Sequence, residues 1–411
     1  MTLRNWAGNI VYSTATLHAP QSVEELQHLV AASSGIHALG TGHSFNRIAD
    51  TTGDLVTLRD LQLPIEVDAA ARTVAVPGGA RYAAVVTELH RHGLALHNLG
   101  SLPHICVAGA CATGTHGSGD GNRCLAAAAV AVQFVRADGE LVAVTRSDAA
   151  FGGSVLALGA LGIVTRLTLA VEPAFPVRQD VWVDVPLDAL MADLDAVMAA
   201  GYSVSLFSDP FTPHRVDQLW IKTRGVDAPD GGRWGGRRAD RAQHPVPGHD
   251  PAVTTEQLGV AGPWHERLPH FRAAFTPSSG EEQQSEYFVA REHGADAIAA
   301  VAEIDLRGVL QVAEYRTIAA DDLWLSPFHD RAALGLHFTW IDDDAAVHEA
   351  VTAVERALAP YDPRPHWGKV FRADPAAVQS HYPRLEDFRA LARRHDPNRV
   401  FGNDFLARFV Y

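Results

Sequence analysis

The stretch Gly40-Thr41-Gly42-His43-Ser44-Phe45 decides the fold of this chain. A short apolar run, residues 36–39, precedes it and indicates the end of a buried strand. The two glycines allow a tight turn whose backbone N–H groups can approach a bulky group. Successive exposed N–H groups bind anions, most often a phosphate or pyrophosphate. A plain glycine turn has the same spacing, and the stretch matches neither the Walker motif nor G-x-G-x-x-G.

A second glycine-rich loop distinguishes between these alternatives. It runs Gly109-Ala110-Cys111-Ala112-Thr113-Gly114-Thr115-His116-Gly117-Ser118-Gly119. Both loops combine glycines, hydroxyl side chains and a histidine. Together they favour one extended phosphate-bearing cofactor that is held from two sides.

Composition limits the class of protein. A chain of 411 residues predicts two domains, and 47% hydrophobic with 20% charged residues is typical of a globular enzyme. The net charge of -14 argues against nucleic acid or an acidic membrane surface as partner. No apolar run approaches the ~20 residues that span a bilayer. The N-terminus shows no signal-peptide pattern, and the three cysteines fit neither a disulfide framework nor a zinc site, so a cytoplasmic enzyme is expected.

Local patterns predict an α+β first half of many short strands. A strand is expected at 9–12, and the capping box of Ser22 and Glu25 begins a helix to about Ala32. The Asp138-Gly139 pair predicts a hairpin turn. A domain boundary is expected near 173–176, because the character of the sequence changes at this proline-containing segment.

The second half is predicted to begin with a strand at 181–185 and one helix over 187–200. Residues 225–247 are rich in Gly, Pro, Arg and Asp and lack periodicity, which predicts a long exposed loop. The C-terminal tail is expected to return to the first half.

Two later strands carry the strongest chemical signal. A period of two places Glu314 and Arg316 on one face of one strand, and His337 and Thr339 on one face of the next. An acid and a base on one face form either a buried structural ion pair or the floor of a polar pocket. Because both strands repeat the pattern, a pocket is favoured, and its many donors and acceptors suit a molecule with several hydroxyl groups.

A lysine follows in the segment His366-Trp367-Gly368-Lys369. An unpaired ammonium among aromatic and apolar residues is costly, so Lys369 either extends to solvent or faces an anionic centre.

These motifs resemble those of the alditol oxidases in the vanillyl-alcohol-oxidase-type flavoproteins, close relatives of the aldonolactone oxidases. The resemblance covers nearly the whole chain and is densest in 40–47, 101–119, 262–271 and 366–369. It implies a two-domain α+β fold: an FAD-binding domain, 1–175, completed by about 372–411, and a cap domain, 176–371, with an antiparallel sheet over the flavin. The two glycine loops specify only FAD, whereas the polar strand residues are more specific to alditol oxidation.

The resemblance also implies roles for particular residues. His43 would join the 8α-methyl of FAD covalently, Ser101 would contact both flavin and substrate, and no metal is expected. The implied cofactor-binding residues are Gly40, Thr41, Gly42, His43, Ser44, Ser101, Cys106, Gly109, Ala110, Ala112, Thr113, Gly114, Thr115, Ile163 (through its backbone), His366 and Lys369. The implied substrate-binding residues are Ser101, Glu314, Arg316, His337, Thr339 and Lys369, of which Arg316, Lys369, His337 and Glu314 are also the expected catalytic residues.

The implied reaction oxidises the terminal primary alcohol of alditols such as xylitol and sorbitol to the aldose, with O2 reduced to H2O2. The cations Arg316 and Lys369 suit alkoxide and reduced-flavin charge. His337 is the obvious base by its ordinary pKa, but the sequence does not assign the proton acceptor. An aldonolactone or other sugar oxidase stays as the alternative, and a metal hydrolase is disfavoured because the 21 histidines lack metal-site spacing. A monomer is expected.

Overall fold

The structure, a computed structural model, describes residues 2–210, 214–274 and 282–411. The strands are β1 (Leu17–His18), β2 (Ile36–Ala38), β3 (Asp54–Val56), β4 (Glu66–Asp68), β5 (Thr73–Pro77), β6 (Leu94–Ala95), β7 (Ala129–Val135), β8 (Leu141–Thr145), β9 (Ile163–Ala170), β10 (Glu172–Pro173), β11 (Pro176–Pro186), β12 (Ser203–Ser208), β13 (Arg215–Arg224), β14 (Arg237–Arg238), β15 (Gly262–Pro263), β16 (Glu282–Ala290), β17 (Leu310–Ile318), β18 (Ala333–Ile341) and β19 (Arg364–Pro365). The α-helices are α1 (Val23–Ala32), α2 (Tyr82–Arg91), α3 (Val107–Thr113), α4 (Phe151–Ser154), α5 (Leu187–Met191), α6 (Leu194–Met198), α7 (Gly294–Ala302), α8 (Asp344–Leu358), α9 (Pro375–Ser380), α10 (Leu385–His395) and α11 (Asp404–Phe409).

The first half contains three small sheets, one of which is the two-stranded antiparallel pair of β6 and β10. A parallel sheet of order β1-β3-β2 directs the end of β2 towards the first glycine loop, and an antiparallel sheet has the order β4-β5-β9-β7-β8. The predicted capping box is confirmed, because Ser22 Oγ accepts from the Glu25 backbone N–H at 3.1 Å. The predicted hairpin joins β7 to β8, and Gly139 adopts a φ of +82° in its turn.

Three local predictions are wrong. The stretch 9–12 forms only an isolated bridge between Val11 and Arg4, while the side chains of Asn5 and Asn9 bond the 44–45 backbone. The predicted helix over 187–200 is divided into α5 and α6, because Asp193 adopts a non-helical φ of -136°. The 225–247 segment is not simply an exposed loop, since it contributes β14 to a sheet and buries Trp234 and Ala239.

The second half is built on a nine-stranded sheet. Its main path is β14-β11-β13-β12-β17-β18-β16-β19, and β15 pairs with β11. Leu336, Phe338 and Trp340 of β18 are buried in one core with residues of α7 and α8. Burial of these three side chains directs the alternating residues His337 and Thr339 to the opposite face, as the period of two predicts.

The C-terminal helices α9 to α11 pack in the same core as residues of the first half. The Asn403 side chain donates to the carbonyls of Ile48 and Asp50, at 2.9 Å each. The tail therefore contacts the first half as expected, whereas the domain limits at 175 and 371 stay a prediction. Within the described ranges, no helix is long and apolar enough to cross a bilayer.

Candidate active site

A single cavity of about 760 Å³ brings the predicted residues together. Both glycine loops and the polar face of β17 and β18 line it. The predicted residues in its lining are Gly40, Thr41, Gly42, His43, Ser44, Ser101, Cys106, Gly109, Ala110, Ala112, Thr113, Thr115, Glu314, Arg316, His337, Thr339, His366 and Lys369. Gly114 and Ile163 are absent from the lining, although their sequence neighbours Thr113, Thr115, Gly162 and Val164 belong to it.

Backbone contacts hold the first glycine loop against the segment that carries Lys369. The Phe45 N–H donates to the Gly368 carbonyl at 2.7 Å. The Asn46 side chain donates to the carbonyls of Trp367 at 2.8 Å and Lys369 at 2.7 Å. Gly42 has a φ of +65°, which favours glycine at this turn. Residues separated by more than 300 positions thus form one wall of the cavity.

The side chain of His43 is surrounded by aromatic rings. Its ring centroid lies 4.3 Å from that of Trp6 and 5.1 Å from that of His104. Burial, with smaller contributions from His104 and Lys369, lowers the pKa of His43 to about 3. The imidazole is therefore neutral at pH 7, and its buried Nδ1 has no partner in the described part of the chain. A neutral, unpartnered imidazole in a glycine-lined cavity fits a group that bonds to this side chain.

The polar wall of the cavity is a row of cross-strand neighbours. In the register of the sheet, Glu314 of β17 and Glu286 of β16 both pair with His337 of β18. Glu314 Oε2 lies 3.3 Å from His337 Nδ1. Since a carboxylate accepts and cannot donate, this contact makes Nδ1 the protonated nitrogen of His337. The other nitrogen, Nε2, is buried without a partner and carries the lone pair.

The pKa of His337 is lowered to about 4 by burial, with Lys369 adding to the effect. The imidazole is therefore neutral at pH 7. Sequence reasoning proposed His337 as a base from its ordinary pKa. In the structure, His337 is instead kept in its neutral, basic form by burial and by the positive charge of Lys369.

Sequence reasoning missed Glu286, which lies at the centre of the charge network. Its carboxylate accepts from Arg316 Nη2 at 2.8 Å and from Lys369 Nζ at 2.7 Å, and His116 Nε2 lies at 3.2 Å. Burial alone would raise the pKa of Glu286, but Lys369, His116 and Arg316 together hold it well below its usual range. Lys369 does face an anionic centre, and its partner within the protein is Glu286.

Arg316 connects the charge network to the loop after β6. Its Nη1 lies 3.5 Å from Ser101 Oγ, and its Nε lies 3.5 Å from Glu314 Oε2. The side chain of Arg316 is only 5% exposed, and its guanidinium contacts the carboxylates of Glu286 and Glu314. Arg316 and Glu314 thus form a buried ion pair and also line the cavity. Both interpretations of this strand, the structural ion pair and the polar pocket, are therefore correct.

Further polar residues extend the wall, and the 225–247 segment contributes to it. Glu282 and Gln284 precede Glu286 on the same face of β16 and line the cavity, as does Gln311 of β17. His244 lines the cavity as well, so the predicted exposed loop is partly a cavity wall.

The fold class is that of a flavoprotein oxidoreductase. The FAD binding domain family matches residues 14–145, and the D-arabinono-1,4-lactone oxidase family matches residues 280–409. Cholesterol oxidase from B. sterolicum has the same fold, with a TM-score of 0.81 at 17% identity, covering 100% of this chain and 96% of that chain.

Curated relatives define the family more narrowly. Alditol oxidase of Streptomyces sp. is 53% identical over 98% of this chain and 97% of its own length. L-gulono-1,4-lactone dehydrogenase of Mycobacterium tuberculosis is 29% identical over 99% of this chain and 98% of its own. The chain belongs to the alditol oxidase family of vanillyl-alcohol-oxidase-type flavoproteins, and FAD is the cofactor of that family. Within the described residues, no group of His, Cys, Asp and Glu could hold a metal ion.

Several buried neutral histidines predict that acid unfolds the protein. Burial lowers the pKa of His270 and of His337 to about 4, and that of His366 well below its ordinary value. An unfolded histidine titrates near pH 6.5, so the unfolded chain binds these protons first as the pH falls. Each histidine therefore contributes stability that is complete above about pH 6.5 and is lost as the pH falls through the folded pKa, with a slope of up to about 1.4 kcal/mol per pH unit.

We expect the free energy of unfolding in urea to fall steeply from pH 7 to pH 5. Between pH 7 and pH 8 these histidines do not change the free energy of unfolding, because they are neutral in both the folded and the unfolded state. The variant His270→Gln removes one such group and reduces the slope. Equal stability of the wild type at pH 7 and pH 5 would contradict this reading of the buried histidines.

Proposed function

We propose that this protein is an FAD-dependent alditol oxidase, which converts the terminal primary alcohol of a polyol to an aldehyde and reduces O2 to H2O2. The observation that carries the proposal is the row Glu286–His337–Glu314, which faces the cavity together with Arg316 and Lys369. A hydrophobic alcohol does not require such a wall, whereas a polyol loses water from several hydroxyl groups and needs a partner for each. The name of the relative that is 53% identical supports the same substrate class.

The cofactor supplies a hydride acceptor when it is bound. The chain's own residues then orient the alcohol and stabilise charge. His337 lines the cavity, and its buried Nε2 carries a lone pair without a partner in the described residues. In the proposed reaction it accepts the proton of the reacting hydroxyl, and Glu314 stabilises the imidazolium that results. Arg316 and Lys369 are placed to stabilise alkoxide-like negative charge in the transition state. Thr339, Gln284 and Gln311 offer hydrogen bonds to the other hydroxyl groups.

We further propose that His43 holds FAD covalently. Its neutral imidazole has a nucleophilic nitrogen, and Gly40 to Ser44 together with Gly109 to Thr115 would hold the pyrophosphate and the neighbouring parts of the dinucleotide. Gly100 lines the cavity, and its missing side chain leaves room for O2. The buried, unpaired cysteines are compatible with the cytoplasm.

A simple test of the linkage is acid precipitation of the purified protein. The yellow chromophore is expected to remain with the polypeptide in the wild type. The variant His43→Ala is expected to bind FAD through the loops but to release it into the supernatant. Release of all flavin from the wild type would show that the linkage is wrong.

The substrate class is tested by measuring oxygen uptake and peroxide with polyols, aldoses and aldonolactones. We expect the greatest kcat/KM with polyols of five or six carbons. Turnover of lactones in preference to polyols would favour the alternative function, an aldonolactone oxidase; the relative at 29% identity is named as a dehydrogenase of such a lactone.

A further inference from the structure

Lys222 of β13 is a buried lysine that the proposed chemistry does not use. Lys222 is only 1% exposed. The ammonium donates to the carbonyls of Leu268 at 2.5 Å and Pro269 at 3.1 Å, and its Nζ lies 3.3 Å from His270 Nδ1. These three contacts use all of its donors. No carboxylate of the described residues forms an ion pair with it. Burial lowers the pKa of Lys222 to about 7, whereas the Glu314 carboxylate favours the charged form.

His270 joins Lys222 to Glu314. Its Nε2 lies 2.9 Å from Glu314 Oε1, and the residue as a whole is only 6% exposed. Phe207 and Trp220 enclose the ring, each with a ring-centroid distance of 5.4 Å in an edge-on arrangement. The segment 262–271, which contains His270, is one of the parts of the sequence that carry the family resemblance.

The chemistry of the groups fixes the direction of every bond in this chain. An ammonium can only donate, so His270 Nδ1 accepts and the ring proton is on Nε2. That N–H donates to Glu314 Oε1. The second oxygen, Oε2, then accepts from His337 Nδ1–H, which leaves the lone pair of His337 Nε2 for the substrate. One buried ammonium therefore stands at the start of a directed chain that ends at the reacting hydroxyl.

Lys222 also changes the charge balance of the site. The carboxylates of Glu286 and Glu314 match the charges of Arg316 and Lys369, so these four groups together are neutral. In its protonated form, Lys222 adds a positive charge behind Glu314, in a region from which water is excluded. A site that stabilises an alkoxide benefits from net positive charge.

We infer that Lys222 and His270 are positioning residues for alcohol oxidation, which hold Glu314 ionised and fix the orientation of His337. A purely structural role would be to attach the 268–270 segment to the sheet. The two carbonyl contacts would serve that role, but the third contact, to the nitrogen that sets the tautomer of His270, serves no such need. The inference rests on the proposed function, because it assigns His337 to the reacting hydroxyl.

The test compares four single variants in steady-state kinetics and in flavin content, and adds Lys222→Met in a Glu314→Gln background. Lys222→Met removes the ammonium, and His270→Leu breaks the chain. His270→Gln keeps an acceptor for Lys222 and a donor for Glu314. Gln179→Met is the matched control, because Gln179 is a buried polar residue that faces Lys222 across β11 and β13 and bonds only the 255–256 segment.

We expect Lys222→Met to lower kcat on the order of tenfold, as one charge at about 10 Å in a medium of intermediate dielectric constant implies. His270→Leu is expected to cause a loss of the same order, because it removes the N–H that holds Glu314. KM changes by less than about threefold, since the contacts to the remote hydroxyl groups remain. His270→Gln and Gln179→Met keep kcat within about threefold of the wild type. In a Glu314→Gln background, Lys222→Met causes no further loss, because it acts through Glu314.

The kinetics use whichever polyol or lactone the wild type oxidises fastest, so that an error in the substrate class leaves this test intact. Three results would overturn the inference: an unchanged kcat in Lys222→Met, an equal loss in His270→Gln and His270→Leu, or full additivity with Glu314→Gln. If Lys222→Met yields no folded holoenzyme, the two His270 variants decide the question.

Discussion

Replacing Lys369 with methionine is expected to lower kcat on a five-carbon polyol by about a hundredfold, as for other donors that stabilise transition-state charge. Lys369 lies between the first glycine loop and Glu286, and in the proposed reaction its ammonium stabilises the alkoxide charge that develops. Methionine keeps most of the side-chain volume and removes the charge. KM is expected to change much less than kcat, because resting polyol carries no charge for the ammonium to bind.

The comparison is Thr339→Ala, measured with peroxide as the readout on the same polyol and on glycerol. Thr339 offers one hydrogen bond to a hydroxyl away from the reacting carbon, so its loss raises KM and flattens the preference for the longer substrate. Some loss of kcat accompanies it, because remote contacts help to position the reacting carbon. If Lys369→Met keeps the wild-type kcat and Thr339→Ala abolishes it on both substrates, the two roles are reversed.

Replacing Glu286 with glutamine is expected to lower the free energy of unfolding by about 3–5 kcal/mol, the range found when one partner of a buried ion pair is removed. The carboxylate bonds Arg316 and Lys369 and contacts His116, and its side chain is only 1% exposed. Glutamine fills the same volume, but it removes the carboxylate that pairs with Lys369 and leaves Arg316 with Glu314 alone, at 3.5 Å. Activity is expected to fall too, because Lys369 becomes easier to deprotonate and loses its fixed position.

The matched control is Glu282→Gln on the same strand. Glu282 also faces the cavity, but its hydrogen bond within the described residues is to Gln284 Nε2, at 2.6 Å, and burial raises its pKa. Removing this charge is expected to change stability by less than about 1 kcal/mol. Urea unfolding of both variants makes the comparison. Equal stability losses in the two would contradict the central role of Glu286.

The sequence was most informative where one local rule acts alone. The glycine loops, the capping box at Ser22 and the alternation along β17 and β18 each depend on residues close together in the chain. The alternation correctly placed Glu314, Arg316, His337 and Thr339 on the cavity face, because apolar neighbours fixed the opposite face against helices.

Glu286 could not be found in the same way, since β16 is polar on both faces. Its inward residues alternate with Gln283, which donates to Asp344, and Ser285, which accepts from Trp340 Nε1. Apolar alternation is absent there, so the strand gives no period of two. The available signal for a strand with polar inward residues was a run of Glu and Gln that continues into Tyr287 and Val289.

The 225–247 segment shows a second limit of local reasoning. Gly, Pro and charged residues predict irregular backbone, and the backbone is irregular apart from β14 and a short 3₁₀ turn at Gly232–Trp234. Whether an irregular segment lies in solvent or against a cavity depends on tertiary contacts, and here Trp234 is buried while His244 lines the cavity. Likewise, the contact between His270 and Glu314 joins residues 44 positions apart and has no local pattern.

The most direct test of the central claim is anaerobic mixing of the purified holoenzyme with a five-carbon alditol. If the cavity orients a terminal carbon for hydride transfer, the flavin absorbance is lost without oxygen, and an alditol deuterated at its terminal carbons reduces the flavin several times more slowly. An oxidised flavin that persists with alditols but is reduced by an aldonolactone would contradict the account.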